Sequence, residues 1–326
     1  MSAVDEGAVL DPRAGARDAL AAAAERRASA VPRSNTYYAT RRFFRQKLAV
    51  FGLVLTLFLV VVGVGAPLLA PTDYKQNNLM EANQFPSGEH WFGTDTIGHD
   101  YLSRVMYGVR TSLWVAFAAV AVSCLIGIPL GLVAGLKGGR TDFVVMRIVE
   151  IMTAFPGLLF AIFLVSLFRA GFNIPVGFGQ RIPIANVWLI VFVIGVTSWV
   201  GICRLTRAQI LSLREREYVT AARSLGVSDT GIALRHLLPN AIAPLIVAVT
   251  LSIPLAIFAE AGLSFLGIGI NEPTPSLGKM VAADSGSTLR VYWHLGFFPT
   301  LAIALAMLGF TFVGDGLRDA LDPRQN

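Results

Sequence analysis

The sequence contains little charge and almost no cysteine. Asp, Glu, Lys and Arg make up 15% of its 326 residues, whereas soluble globular domains carry about 25%. Its two cysteines, Cys124 and Cys203, lie in apolar stretches and form no CxxC pair, which favours small core residues over a disulfide or a metal site. A single water-soluble domain and a disulfide-stapled scaffold are both disfavoured.

Motifs that would give the chain chemistry of its own are also missing. Lys279 follows Gly278 as in a Walker A motif, but Met280 comes next and Pro273 occupies the position of the required glycine. Neither HExxH nor GxSxG occurs, and the four histidines are scattered. We therefore expect a non-catalytic chain without a metal or cofactor of its own, for which any ATP is bound by another chain.

Apolar residues make up 54% of the chain and are gathered into long runs. A helix needs roughly 20 consecutive apolar residues to cross the hydrocarbon core of a bilayer, which is about 30 Å thick. Six runs reach this length and predict an all-α membrane protein with six transmembrane helices: residues 48–70, 112–136, 143–168, 184–203, 241–268 and 295–313.

The basic residues are distributed unevenly between the loops. If both termini are cytoplasmic, twenty of the 27 Lys and Arg residues fall on the inner side, as the positive-inside rule requires. The predicted location is therefore the cytoplasmic membrane, with the N- and C-termini inside. The net charge of +6 then reflects this positioning and contact with anionic membrane lipid, and no nucleic-acid partner is expected.

Spans and loops divide the chain into successive parts. We predict a polar cytoplasmic leader at 1–47, a first transmembrane helix at 48–71, an external loop at 72–111, a five-helix core at 112–316 and a cytoplasmic tail at 317–326. The core includes an inner loop, 204–240, which is too charged to cross a bilayer.

The inner loop has a helical pattern. Within residues 217–225, apolar side chains recur at i, i+3, i+4 and i+7, at Tyr218, Ala221, Ala222 and Leu225. This spacing predicts a short helix with one narrow apolar face. Gly226 supplies a turn after it.

A second short helix is predicted after that turn. Ser228 is suited to cap its first turn, and the helix is expected to end at Pro239, after which the fifth span begins.

The stretch EYVTAARSLGVSDTGIALRHLLPN, residues 217–240, resembles the loop signature of ABC importer permeases. Thr220 and His236 stand where the general signature has Glu and Ile. The surrounding YVTAARSLG and RHLLPN are similar to the dipeptide and oligopeptide permease subfamily. The positions that match in register are Ala221, Ala222, Gly226, Leu238 and Pro239.

Other stretches resemble the same subfamily: FGTDTIGHDYLSRVMYGVRTSL at 92–113, MRIVEIMTAFP at 146–156, EAGLSFLGIGINEPTPSLGKM at 260–280 and DALDPR at 319–324. Their order resembles the second, six-span permease partner of such importers. The resemblance implies the type I ABC importer permease fold.

The resemblance also implies partners. These are a homologous second permease subunit, two cytoplasmic ATPase subunits or domains that bind ATP and Mg, and an external substrate-binding protein. The inner loop would couple the ATPases to the spans, because small residues allow close approach and larger apolar ones anchor in a pocket. The implied coupling residues are Glu217, Tyr218, Ala221, Ala222, Arg223, Ser224, Leu225, Gly226 and Pro239.

Dipeptides or oligopeptides are the substrates that this resemblance implies. Relatives of the subfamily are also linked to nickel and to glutathione, so these solutes stay open. A secondary transporter that works without ATP would show charge pairs at mid-membrane and inverted repeats, and neither is evident. A membrane scaffold that recruits partners through the same loop is a further alternative.

Two acidic residues fall inside predicted spans, where charge is costly and usually faces protein or water. Glu150 either lines the inner end of a pathway or pairs with Arg147, and Glu260 either contacts substrate, braces an outer gate or has a structural role. A structural role is the preferred interpretation of both. Three prolines within spans predict helix kinks, either fixed or able to bend: Pro129, Pro156 and Pro254.

Asp95, His99 and Asp100 superficially resemble a metal site. Asp beside Gly and Thr is more typical of turns in which the carboxylate accepts backbone N–H groups. The family likeness suggests instead that this region, together with the outer stretch 269–278, lies where a substrate-binding protein docks.

Overall fold

The computed structural model describes residues 35–169, 173–176, 180–183, 186–283 and 291–322. Residues 1–34 of the predicted leader and 323–326 of the predicted tail lie outside these ranges. The helices are α1 (Asn35–Arg45), α2 (Lys47–Leu69), α3 (Tyr101–Lys137), α4 (Gly139–Ala154), α5 (Gly157–Arg169), α6 (Asn186–Arg214), α7 (Glu217–Ser224), α8 (Asp229–Ile232), α9 (Leu238–Phe265), α10 (Leu277–Ala283) and α11 (Trp293–Leu321), with a π-helical turn, Ala233–Leu237, between α8 and α9.

Five helical units in the described ranges are long and apolar enough to cross a membrane. They are α2, α3, α6, the continuous unit of α8 and α9, and α11. The pair α4 and α5 makes a sixth crossing if its two arms, bent by 90°, count as one span. The predicted all-α membrane fold is therefore confirmed.

A small β-hairpin is the part of the fold that no pattern predicted. Strands β1 (Asn173–Val176) and β2 (Gln180–Pro183) pair antiparallel between α5 and α6. Asn173 lies opposite Pro183, and Val176 lies opposite Gln180. The hairpin adds local pairing to a loop and leaves the helical architecture unchanged.

The third predicted span is broken at Phe155 and Pro156. Phe155 has extended backbone angles, φ −91° and ψ 135°, because the ring of a following proline disfavours the α conformation of the residue before it. The kink expected at Pro156 is therefore a complete break between two helices. The predicted third span, 143–168 with a kink at Pro156, is thus divided into α4 and α5.

Helix α3 begins at Tyr101, eleven residues before the predicted start of the second span. The Asp100 carboxylate caps it by accepting a hydrogen bond from the backbone N–H of Ser103 at 2.9 Å. Hydropathy placed the start too late because Arg104 and Arg110 interrupt the apolar run. Backbone hydrogen bonding continues through such charged positions, so the last eleven residues of the predicted external loop, 101–111, are helical.

Helix α2 buries small side chains and exposes large ones. Ala49, Gly52 and Gly63 are buried, whereas Phe51 and Phe58 are exposed. A Cβ at Gly52 would lie 2.9 Å from the Gly309 carbonyl oxygen of α11. Close backbone approach drives packing between membrane helices, since lipid tails already satisfy large apolar groups.

Helices α3 and α6 pack along a row of glycines. Gly127, Gly131 and Gly135 of α3 are buried at a spacing of four residues. A Cβ at Gly131 would lie 2.5 Å from the carbonyl oxygen of Cys203 in α6. The resulting close contact fixes two helices, and the short segment described next follows directly after the second of them, α6.

Candidate translocation pathway and coupling segment

Helix α7 has one buried and one exposed apolar face. Val219 is fully buried and Ala222 is 7% exposed, whereas Tyr218 is 40% and Leu225 84% exposed. Ala221 is exposed beside them. The prediction of a single apolar face is therefore wrong. Ala222 lies with Val219 on the buried face, and Tyr218, Ala221 and Leu225 are exposed.

The remaining predicted residues of this helix are exposed. Glu217, Arg223 and Ser224 all face solvent, and the Ser224 hydroxyl donates to the Thr220 carbonyl oxygen at 3.1 Å. Val219 was not predicted to be buried. The helix has apolar residues on two faces, and its sequence alone does not indicate which of them packs against the bundle.

The end of α7 is closed by a Schellman motif. The N–H of Val227 donates to the Ala222 carbonyl oxygen at 3.1 Å, and the N–H of Gly226 donates to that of Arg223 at 2.9 Å. Gly226 has φ +79°, and nothing lies within 4 Å of a Cβ built on it. Glycine is thus required by backbone conformation, not by crowding.

Helix α8 starts where it was predicted. The Ser228 hydroxyl accepts a hydrogen bond from the Gly231 N–H at 3.3 Å. The predicted end at Pro239 is wrong, because the chain continues through the π-helical turn into α9, where Pro239 is the second residue. A wider turn before the proline relieves the clash that its ring would make in an α-helix.

Helix α7 is attached to both long helices beside it. Val219 and Ala222 share one buried apolar cluster with residues of α6, α8 and α9. Its other buried members are Ile210, Ile232, Leu237, Ala241 and Leu245.

Ionic contacts fix the C-terminal end of α6. Arg207 forms a bidentate ion pair with Asp142 of α4, and bidentate guanidinium–carboxylate pairs are directionally specific. Arg214 donates to the Gly135 carbonyl oxygen of α3 at 3.0 Å. The base of α6 is therefore held to α3 and α4, and the segment after it starts from a fixed position.

A cavity of about 360 Å³ lies between α3, α6 and α9. None of the described residues that line it is charged, and the Ser123 and Ser252 hydroxyls donate to carbonyl oxygens of Gly195 and Ala248, at 3.0 Å and 2.8 Å. Its small lining residues are Ala119, Ser123, Ser198, Gly201, Ala248, Ser252 and Ala256. The wall is thus weakly polar and lacks groups that would select one particular solute.

Glu260 does not face this cavity. It is fully buried and accepts hydrogen bonds from three hydroxyls: Ser112 of α3 at 2.7 Å, Ser264 of α9 at 2.8 Å and Ser276, just before α10, at 2.6 Å. The carboxylate therefore joins three elements near the N-terminal part of α3 and the C-terminal part of α9. Only Ser264, one helical turn after Glu260, could have been anticipated from spacing.

Glu150 lies on the exposed surface of α4. Its carboxylate accepts from Arg147 at 2.8 Å, and both side chains are 57% exposed. Of the two alternatives raised by the sequence, the structure contains the arginine pair.

The outer cluster is a hydrogen-bonded turn. One Asp95 oxygen accepts from the N–H groups of Ile97 and His99, at 3.0 Å and 2.9 Å, which confirms the turn interpretation. Buried Arg104 donates to Asp95 at 3.2 Å and to Glu272 at 2.6 Å. This arginine joins the two outer stretches singled out in the sequence.

Comparison with known proteins now identifies the family. The family model described as "Binding-protein-dependent transport system inner membrane component" matches residues 127–326, more than half of the chain. The chain belongs to this permease family. A second model, the N-terminal TM domain of oligopeptide transport permease C, matches residues 34–86 of the permease. The multi-pass membrane permease recognised from residues 217–240 is thereby confirmed.

Curated relatives cover most of this permease. It is 39% identical over 284 residues to the oligopeptide transport system permease protein OppC of Bacillus subtilis, covering 87% of this chain and 88% of that one. It is 41% identical over 302 residues to the dipeptide transport system permease protein DppC of Bacillus subtilis, covering 92% and 90%.

A solved structure shares the permease fold. A chain from an inward-facing crystal structure of the MetNI methionine ABC transporter aligns with a TM-score of 0.51 at 19% identity, covering 67% of this chain and 96% of that chain. At this identity the likeness concerns the fold alone.

Proposed function

We propose that this permease is one of two membrane-spanning subunits of an ATP-driven importer that carries dipeptides or oligopeptides across the cytoplasmic membrane. The names of its relatives support the substrate class. The observation that carries the mechanism is the placement of α7, which lies between α6 and the α8–α9 unit. These same two helices wall the central cavity.

The coupling proposal follows from the two faces of α7. Tyr218, Ala221 and Leu225 are free to seat in a groove of an ATPase subunit, while Val219 and Ala222 anchor the helix to the bundle. ATP binding closes two ATPase partners, which hold ATP and Mg. Helix α7 passes that movement to α6 and α9, two of the helices that line the cavity. Pro239, at the start of α9, is the last residue of this connection. The chain itself carries out no catalysis.

The orientation and the remaining partners complete the proposal. Both termini and α7 are cytoplasmic, which is supported by the twenty basic residues on that side. A homologous second permease subunit completes the pathway around the cavity. An external binding protein delivers substrate to the outer end, near the turn at Asp95 and the loop that contains Glu272.

A reconstituted complex tests this function. The permease is isolated with its co-purifying chains, placed in proteoliposomes with the binding protein, and supplied with labelled di-, tri- and pentapeptides, nickel or glutathione. We expect uptake of peptides that requires ATP and co-isolation of a nucleotide-binding chain. Equal uptake without ATP would establish a secondary transporter, and uptake of nickel or glutathione alone would reassign the substrate.

The sidedness of α7 is tested separately. A cysteine introduced at Ser224, which is exposed, should react with a membrane-impermeant maleimide only in inside-out vesicles. Labelling in intact cells would place α7 outside and contradict the coupling role.

A further inference from the structure

A second pocket, of about 240 Å³, lies at the outer end of α3. It is smaller than the roughly 300–1,000 Å³ of pockets that enclose drug-sized ligands, so it suits one end of a solute. Its lining includes a guanidinium, three aromatic rings and part of the loop before α10, and no carboxylate is present among the lining residues that the structure describes. The residues that matter are Tyr74, Tyr107, Arg110, Trp114, Thr274 and Pro275.

Two arginines of α3 differ sharply in their contacts. Arg104 is buried and paired with Asp95 and Glu272. Arg110, six residues further along, is exposed, and within the described ranges its guanidinium has no hydrogen-bond or ion-pair partner. An unpaired cation near a bilayer is costly and faces water or an anion.

The other walls offer hydroxyls and ring faces. The rings of Tyr74 and Tyr107 lie 4.4 Å apart, and Trp188 meets Trp114 edge-on at 4.8 Å. In the described part of the chain, the hydroxyls of Tyr74, Tyr107 and Thr274 take part in no hydrogen bond. The pocket therefore combines uncommitted donors with apolar surface.

One side of this pocket, formed by Thr274 and Pro275, is held in place by neighbouring contacts. Thr274 and Pro275 lie between Glu272, which pairs with Arg104, and Ser276, which donates to Glu260. Tyr74 comes from the outer segment after α2. These contacts favour a solute that enters from outside over a lipid headgroup that arrives from the side.

We propose that this pocket binds the carboxylate of a solute whose adjoining body is apolar, the chemistry of a peptide's free C-terminus, before it reaches the pathway. The Arg110 guanidinium holds the carboxylate, and the tyrosine and tryptophan rings cover the neighbouring side chain. The inference rests on the proposed function, because it names how a peptide would be received at the outer end.

Tryptophan fluorescence of the assembled complex tests the proposal without the binding protein. The complex is placed in phosphatidylcholine nanodiscs and titrated with N-acetyl-phenylalanine and with its amide. We expect a saturable change with the acid and binding about tenfold or more weaker with the amide, since a charged hydrogen bond is lost. Trp114→Phe should remove most of the signal.

Variants assign the effect to the guanidinium. Arg110→Gln should reduce binding of the acid to that of the amide, and Arg110→Lys should retain part of it. Lys279→Gln removes an outer cation that does not line the pocket and should leave the titration unchanged. Gel filtration of each variant verifies that the complex is assembled.

Several outcomes would overturn the proposal. These are equal binding of acid and amide, an unchanged titration in Arg110→Gln, or a signal that responds to phosphatidylglycerol in the disc and not to the acid. An Arg110→Gln defect seen only with the binding protein present would assign the residue to docking. ATP-driven peptide uptake by the wild-type complex, measured in the same preparation, separates this inference from the proposed function. If the complex binds the acid but takes up no peptide, only the proposed function is contradicted.

Discussion

The two ends of this permease, outer and cytoplasmic in the proposed orientation, are stabilised in opposite ways. At the outer end, the buried carboxylates of Asp95 and Glu260 are hydrogen-bonded to groups of the same chain. At the cytoplasmic end, Tyr218 and Leu225 of α7 expose apolar surface that no described part of the chain covers. The two carboxylates are thus satisfied within the chain, whereas the exposed face of α7 is available to another protein.

The strongest way to break this comparison is to remove the outer carboxylate. Glu260→Ala leaves three buried serine hydroxyls without their acceptor, and each unsatisfied buried group costs about 1–3 kcal/mol. We expect a loss of about 3 kcal/mol or more, seen as low yield and a lowered unfolding temperature in detergent.

Glu260→Gln is the matched control. Its amide keeps an acceptor for two hydroxyls and can donate to the third, so we expect a change within about 1 kcal/mol. If the alanine variant unfolds at the wild-type temperature, the outer end does not depend on this cluster.

The next largest effect is expected at the turn after α7. Gly226→Val places a β-branched residue at φ +79°, which costs roughly 1–2 kcal/mol and changes the direction of α7. We expect the complex to assemble and hydrolyse ATP while uptake falls about tenfold.

Gly226→Asn separates conformation from size. Asn tolerates the left-handed region, and a Cβ there meets nothing within 4 Å, so uptake should stay close to wild type. Normal uptake by the valine variant would count heavily against the coupling role of this turn.

A smaller effect distinguishes the two faces of α7. Leu225→Ala removes an exposed side chain and should leave the unfolding temperature unchanged while weakening co-purification of the ATPase several-fold. Val219→Ala removes methyl groups from a fully buried site and should lower stability by about 1 kcal/mol. If Leu225→Ala lowered stability and Val219→Ala weakened co-purification instead, Val219 would lie on the face that contacts the ATPase.

The smallest effect is expected at Glu150. Its exposed pair with Arg147 should contribute under about 1 kcal/mol, so Glu150→Gln should change neither stability nor the KM of uptake. A clear rise in the KM of uptake would instead indicate that Glu150 lines the pathway.

The sequence predicted most of the helical framework, because long apolar runs are a direct consequence of bilayer thickness. It also predicted the cap at Ser228 and the turn at Gly226, which depend on local chemistry. The family was recognisable because residues 217–240 form one continuous motif.

Long-range contacts could not be predicted in the same way. The serines around Glu260 come from positions up to 148 residues away from it, and no local pattern joins them. The buried face of α7 depends on α6 and α9, so its own periodicity left Val219 unassigned. The early start of α3 was not predicted because hydropathy measures only the transfer of side chains to lipid. It does not detect the part of a helix that extends beyond the apolar run.

The break at Phe155 and Pro156 constrains where this part of the chain can lie. Where α4 stops and α5 starts, carbonyl and N–H groups lose their partners one turn away, and hydrocarbon cannot replace them. Yet the residues around the break are exposed in the isolated chain. In the working assembly this elbow must therefore be covered by protein or border water, and acyl chains are excluded from it.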